Sequence, residues 1–136
     1  MPSIFWDCFW KNRFILNKIG KIAATIIQNI AKKSGVTVGI FMAIHTFGRN
    51  LKNNVHIHLS TTTAGLAEDN SKWKNVFFKQ ETIMKMWRYE IIKLFREAYN
   101  NNELVLTNVI TDKLGPIVTF NNLLDGYYNK RWIVHC

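Results

Sequence analysis

The chain has 136 residues, a formal net charge of +9 at pH 7 and a hydrophobic content of 48%. This length predicts one domain or a part of one, and the apolar content excludes a disordered chain because it is high enough for a buried core. The excess of Lys and Arg predicts a polyanionic partner, either nucleic acid or an anionic membrane surface, although a merely basic soluble protein has the same charge.

The cysteines and the N-terminal residues favour a cytoplasmic protein. Cys8 and Cys136 show no paired spacing, so the sequence offers no disulfide framework or zinc ribbon. The start, MPSIFWDCFWKNRF, lacks the long apolar segment and cleavage site of a signal peptide. Residues 36–47, the longest uncharged apolar stretch, are too short to span a bilayer, so we expect no membrane partner.

Two long helices are predicted from apolar spacing. Isoleucines recur three or four positions apart through residues 11–34, and Gly35 is suited to end that helix. A similar stripe marks residues 80–98, which Asn100 and the asparagines after it interrupt.

A β-hairpin is predicted between the two helices. Residues 36–47, VTVGIFMAIHTF, predict a buried strand, and residues 48–54, GRNLKNN, have turn composition. Residues 55–60, VHIHLS, alternate as a second strand, and residues 61–72 are polar and predict a loop. After the second helix come the short apolar run LVLTNVI, a turn at Leu114-Gly115-Pro116 and, at the end, WIVHC, which predicts the start of a strand.

The hairpin carries a candidate metal site. Strand alternation places His56 and His58 on one face. A hairpin whose centre lies between Asn50 and Leu51 places His45 directly opposite His56, so that three imidazoles converge, although a bulge in the turn would shift this register. Two imidazoles and a third ligand can hold a divalent ion. The alternatives are a surface His-x-His pair and a core histidine hydrogen-bonded near Thr46.

No other catalytic motif is present. The sequence has no Walker loop, no G-x-S-x-G and no H-E-x-x-H. The acidic residues are few and scattered, and Glu68 and Asp69 are predicted to lie in a solvated loop.

The segment IHTFGRNLKNNVHIHLSTTTAGL resembles the core of the rolling-circle insertion-sequence transposases of the HUH (His-hydrophobic-His) endonuclease superfamily. Their pattern is His-Thr-Phe-Gly-Arg-Asp-Leu, a turn, His-hydrophobic-His and Gly-Gly-Leu, and the similarity continues through residues 71–96 into WIVHC. The resemblance implies that the protein nicks and rejoins single-stranded DNA without ATP. It implies that His56 and His58 hold Mg²⁺ or Mn²⁺ and that a tyrosine forms a 5′-phosphotyrosine. The third ligand is not fixed by the motif, and His45 is the geometric candidate.

The chain departs from the family pattern in several places. Asn50 replaces an acidic residue, and Ala64 replaces the first glycine of Gly-Gly-Leu. The family's nucleophile lies in a Tyr-Leu-Gly-Arg-Tyr type segment beyond WIVHC, and its cysteine-rich zinc element precedes the matched region. We therefore predict that residues 1–136 are an incomplete HUH catalytic domain. Tyr127 and Tyr128 are the candidate substitutes for the nucleophile, and the alternative role for both is packing.

Basic and aromatic side chains near this segment are candidates for contacts with DNA. Lysines and arginines would bind phosphates, and aromatic rings would stack on bases. The alternative is that the lysines are merely solvated and that Phe77 and Trp87 belong to the core. The candidates are Arg49, Lys52, Lys72, Trp73, Lys74 and Lys79, with Phe77, Phe78, Arg88 and Arg96 as further possibilities.

Together these features predict an α/β chain of the α+β type, with a central, mostly antiparallel sheet that carries the His-x-His strand and is flanked by helices. The expected function is DNA transposition by a metal-dependent, single-strand-nicking domain that is catalytically incomplete in this chain, working in the cytoplasm at the nucleoid. The alternatives are a non-catalytic remnant that binds metal and single-stranded DNA, and a non-functional pseudogene product.

Overall fold

The structure is a computed structural model, and it describes residues 1–135. It is an α+β fold in which every strand pairing is antiparallel, as predicted. A short 3-10 turn, Ser3–Phe5, precedes the first helix. The helices are α1 (Trp6–Lys11), α2 (Arg13–Lys33), α3 (Gln80–Asn100), α4 (Asn108–Leu114) and α5 (Phe120–Tyr128), and the strands are β1 (Val36–Thr37), β2 (Ile40–Phe47), β3 (Asn53–Thr61), β4 (Ala64–Ala67) and β5 (Trp73–Asn75).

The two long predicted helices are confirmed as α2 and α3. Gly35 ends α2 in the predicted way, with φ of +67° and a hydrogen bond from its N–H to the carbonyl of Lys32. A glycine is suited there because a left-handed residue satisfies the last helical carbonyls at no steric cost. Along residues 1–135, none of the helices is both long enough and apolar enough to cross a membrane.

The predicted hairpin is confirmed as β2 and β3, and its register places His45 directly opposite His56. Nearer the turn the register shifts, because Phe47 pairs with Asn53. One residue of β2, Thr46, therefore faces two of β3, and Asn54 is the extra residue of a β-bulge. The bulge sets the register of the histidines, because regular pairing onward from Phe47 and Asn53 would place His45 opposite Val55.

Three predicted elements were wrong. Residues 36–47 are not one buried strand: the pairing is interrupted at residues 38–39, and no residue of β2 is fully buried. The predicted loop contains β4, which pairs with β1 through Val36 with Ala67 and Thr37 with Leu66. Residues 131–135 form no strand, and Cys136 lies outside the described residues.

The region after α3 adds helices that apolar spacing did not reveal. Helix α4 includes the end of the LVLTNVI run, and α5 packs against α3. Both are shorter than three turns, which is too short for a clear helical stripe in the sequence. Gly115 follows α4 with φ of +56° and forms the predicted turn.

The strands form two antiparallel sheets, one of β2 and β3 and one in the order β1, β4, β5, which are joined by residues 38–39 and 62–63 and are together called the sheet here. The helices pack against one face of it. Val55 of β3 is buried in a core with Phe5, Phe9 and Phe95, and a smaller core beneath β1 includes Ile27 and Val36. Helix α2 lies close to β2, where a methyl group of Met42 would be 3.2 Å from a Cβ on Gly20.

The other face of the sheet, here called the outer face, is left open. Its residues alternate with the buried ones, and those that pair across strands share a face. No described helix packs on it, and most of its side chains are exposed. It consists of Thr37, Gly39, Phe41, Ala43, His45, His56, His58, Ser60, Thr62, Ala64, Leu66, Trp73 and Asn75.

Candidate metal centre

Three histidine side chains converge on the outer face. The ring centroids are 5.2 Å apart for His45 and His56, 4.4 Å for His45 and His58, and 5.0 Å for His56 and His58. One nitrogen from each ring lies within 4.8 Å of the others. His45 and His58 are exposed and His56 is half-buried, so the group can be reached from solvent. We call these three residues the histidine triad.

The register of the hairpin explains why the triad forms. His45 faces His56 directly, whereas His58 faces Ala43. Because Ala43 has only a methyl group, the ring of His45 can lean diagonally toward His58, and that pair has the shortest ring separation. Ala43 therefore has a place in the site that the sequence did not indicate, since its role depends on which residue it faces.

The bulge orients one of the three rings. Nδ1 of His56 lies 2.7 Å from the backbone carbonyl oxygen of Asn54. A carbonyl can only accept a hydrogen bond, so Nδ1 donates its proton and Nε2 keeps a free lone pair. Histidines that bind metals commonly donate their other N–H to a carbonyl or carboxylate in this way. This contact could not be predicted from the sequence, because the bulge follows from pairing between strands.

The donor set fits a divalent transition metal. Imidazole suits Zn²⁺ and other transition ions, whereas Mg²⁺ prefers oxygen ligands. Among residues 1–135, no carboxylate joins the triad. Two metal–nitrogen bonds of about 2.1 Å span at most about 4.2 Å. Nitrogens as much as 4.8 Å apart must therefore approach one another on binding. Small rotations of exposed side chains suffice for that movement.

The structure does not bring Tyr127 and Tyr128 to the triad. Both lie on α5. The ring of Tyr127 packs edge-on against Phe5 at 5.3 Å, on the helix side of the sheet. The ring of Tyr128 lies 5.0 Å from the guanidinium of Arg88. These contacts match the packing role that was the alternative for both tyrosines.

The basic candidates fall into two exposed groups. Arg49 and Lys52 lie in the turn beyond the His45–His56 pair. Asn50, the departure from the family's acidic residue, tightens this turn because its side-chain oxygen accepts a hydrogen bond from the N–H of Lys52 at 3.2 Å. The second group surrounds β5 and consists of Lys72, Lys74 and Lys79, with Trp73 exposed beside them.

The other DNA candidates have different surroundings. Arg88 donates to the carbonyl of Lys130, which joins α3 to the segment after α5. Arg96 forms an ion pair of 2.6 Å with Asp125, which joins α3 to α5. A core position for Phe77 was wrong, because this side chain is 80% exposed. Trp87 is half-buried and packs against the core as expected. Ala64 is a half-buried residue of β4, and the next residue, Gly65, makes the close backbone contact of that segment.

The sequence matches a known protein family over residues 39–136, and the description of that family is "Putative transposase" (Y2_Tnp). The match covers the hairpin, the histidine triad and α3. The chain belongs to this transposase family.

The sequence is also similar to curated transposases. The chain is 39% identical over 89 residues to the "Transposase for insertion sequence element IS801" of Pseudomonas savastanoi pv. phaseolicola, covering 65% of this chain and 22% of that protein. It is 19% identical over 142 aligned positions to the "Putative transposase y4qJ" of Sinorhizobium fredii, covering 98% of this chain and 35% of that protein. The chain therefore spans about a quarter to a third of these relatives. No solved structure matches it.

Proposed function

We propose that this chain supplies the metal-binding and DNA-binding surface of a transposase of the HUH type, which nicks and rejoins single-stranded DNA. The observation that carries the proposal is the histidine triad on an uncovered face of the sheet. A buried triad could not receive a polymer, whereas the outer face can accept a strand along its length. We treat residues 1–136 as one part of the catalytic domain of such an enzyme, working on DNA at the nucleoid.

Each residue of the site has a defined task in this proposal. His56, oriented by the carbonyl of Asn54, offers Nε2, and His45 and His58 complete a three-nitrogen set. A bound divalent ion, with Mn²⁺ fitting this set better than Mg²⁺, would polarise a scissile phosphate as a Lewis acid. Arg49 and Lys52 would neutralise neighbouring phosphates, since they are exposed in the turn next to the triad.

The positions of the tyrosines favour a second candidate function. All four tyrosines of the sequence lie in α3 and α5, and none lies on the outer face. A nucleophile must reach within hydrogen-bond range of the reacting group. We therefore propose that residues 1–136 alone bind metal and single-stranded DNA but do not form a phosphotyrosine. The chain by itself would then be a non-catalytic binding module.

Calorimetric titration of the purified chain with Mn²⁺ tests the metal site. We expect saturable binding that is lost when His56 and His58 are both replaced by Ala, and weakened in His45→Ala. Asp112→Ala is the control, since Asp112 is an exposed carboxylate on α4 and is not part of the triad. The proposal fails if a folded chain does not bind Mn²⁺, or if Asp112→Ala weakens binding as much as the triad variants.

A nicking assay separates the two candidate functions. Labelled single-stranded DNA is incubated with the chain and Mn²⁺, and covalent adducts are resolved on denaturing gels. Binding without an adduct supports the binding module. An adduct that disappears in Tyr127→Phe or Tyr128→Phe would show that a tyrosine of α5 reaches the DNA. That outcome would mean that residues 1–136 nick DNA by themselves.

A further inference from the structure

Phe41 is an exposed aromatic residue on the same face as the triad. Its side chain is 74% exposed, and it lies four residues before His45 on β2. The cross-strand pairs follow one another as His45 with His56, Ala43 with His58 and Phe41 with Ser60. Outer-face residues on one strand are spaced by about 7 Å, so Phe41 lies one step beyond the Ala43–His58 pair.

The surroundings of Phe41 leave its ring accessible. Its neighbours on the outer face are Gly39, Ala43 and Ser60, which are all small. No described helix covers them. The ring of Phe41 therefore extends beyond its small neighbours, and a planar group can pack against the ring without displacing a helix or strand.

The outer face extends from Phe41 to a second exposed aromatic residue. Thr37 pairs with Leu66, and Leu66 pairs with Trp73, whose side chain is 73% exposed. Lys72 and Lys74 flank Trp73. Along the paired strands, the outer face carries the triad and Phe41 in the sheet of β2 and β3, and Trp73 with its lysines in the sheet of β1, β4 and β5.

These features fit single-stranded nucleic acid better than a protein or a lipid surface. Grooves that bind single strands combine cationic groups for the phosphates with separated aromatic rings for the bases. Leu66 is exposed next to Trp73, but Gly39 and Thr37 separate these two residues from Phe41, so the apolar side chains form no continuous patch of the kind that protein interfaces bury. The net charge of +9 complements a polyanion.

We propose that Phe41 stacks on the nucleobase next to the phosphate at the triad, and that the strand continues across the outer face to Trp73. The inference rests on the proposed single-stranded DNA substrate, but it does not require a bound metal. Phe41 acts as a base-positioning residue: it fixes which phosphate of the strand lies over the histidines. Stacking is tolerant of base identity, since every base has a π-face.

Fluorescence anisotropy with labelled oligothymidylates of about 4 to 16 nucleotides tests this inference. We expect Phe41→Ala to weaken binding by about 5-fold to 100-fold, the loss typical of one stacking residue. Phe41→Trp should retain the affinity. Tyr89→Ala is the matched control, because Tyr89 is an exposed aromatic on α3, away from the outer face.

Two further readouts distinguish stacking from a general loss of structure. Phe41→Ala should leave the Mn²⁺ isotherm unchanged and should keep the salt dependence of DNA binding, because it removes no phosphate contact. Wild-type affinity in Phe41→Ala, or an equal loss in Phe41→Trp, would overturn the inference while the proposed function stands. A wild-type chain that binds Mn²⁺ but no oligonucleotide would overturn both.

Discussion

The backbone carbonyl oxygen of Asn54 lies 2.7 Å from Nδ1 of His56, two residues farther along the same strand. The contact exists because β3 has one more residue than β2 between the His45–His56 pair and the Phe47–Asn53 pair. The extra residue turns a carbonyl away from the strand pairing and toward the imidazole. A local irregularity of the hairpin therefore orients one ring of the triad.

The first prediction concerns the protonation of that ring. In the metal-free protein the neutral ring of His56 should be the Nδ1–H tautomer, because the carbonyl of Asn54 accepts only from a protonated Nδ1. Nitrogen-15 NMR of the histidine rings measures this directly. An Nε2–H tautomer at His56 would contradict the hydrogen bond.

The second prediction concerns the effect of the bulge on metal binding. Deletion of Asn54 should restore regular pairing and remove the carbonyl, and the affinity for Mn²⁺ should fall by roughly 10-fold to 100-fold, as for loss of other groups that orient metal ligands. Asn54→Ala keeps the backbone carbonyl and should bind like the wild type. A deletion variant with unchanged affinity would show that the bulge does not support the site.

The third prediction concerns Gly65 of β4. A Cβ at this position would lie 2.1 Å from the carbonyl oxygen of Thr37, so the pairing between β1 and β4 would have to open. We expect Gly65→Ala to lower the free energy of unfolding by roughly 3 kcal/mol. Urea unfolding measures it.

Gly126 provides the matched control for that substitution. It lies within α5, and a Cβ there would meet no atom within 4 Å. Gly126→Ala should raise stability by about 0.5–1 kcal/mol, since glycine is unfavourable in a helix. Similar effects from both substitutions would mean that the close approach of Gly65 to Thr37 is absent in solution.

The fourth prediction concerns Asn12, a buried amide between α1 and α2. Its side chain donates to the carbonyls of Cys8 and Val105 and accepts from the N–H of Val105, each at 2.8 Å. Asn12 is only 2% exposed, and Asn12→Ala removes all three of these hydrogen bonds, which should cost roughly 2–4 kcal/mol. In the same urea titrations, Asn122→Ala on the exposed side of α5 should leave stability nearly unchanged. Equal effects would contradict the network.

The fifth prediction concerns the thiol of Cys8. Burial raises the pKa of this thiol to about 12. The hydrogen bond from Asn12 acts in the opposite direction and lowers the pKa, and the negative charge of Asp7 raises it further. At pH 8 almost no thiolate is present, so iodoacetamide should modify Cys8 only after urea unfolds the protein. Peptide mass spectrometry separates Cys8 from Cys136. Rapid modification of Cys8 in native buffer would show that this part of the core is open.

Several features of this protein were determined by the sequence alone. The helices α2 and α3 and the stop at Gly35 follow from apolar spacing and from the conformational freedom of glycine. The position of His56 and His58 on one face follows from strand alternation. These are local properties, since each depends on residues that are near one another in the chain.

Other features were decided only by the tertiary structure. Residues 64–67 form a strand, β4, although the segment around them is polar. Backbone pairing with β1 and the close approach of Gly65 to Thr37 stabilise this strand more than the local composition disfavours it. Packing of the helices on one face left the other open. As a result, the triad, Phe41 and Trp73 all lie on the outer face. The tyrosines of α5 lie on the opposite side of the sheet, with the helices. Such placements depend on contacts between residues distant in sequence, which no local pattern records.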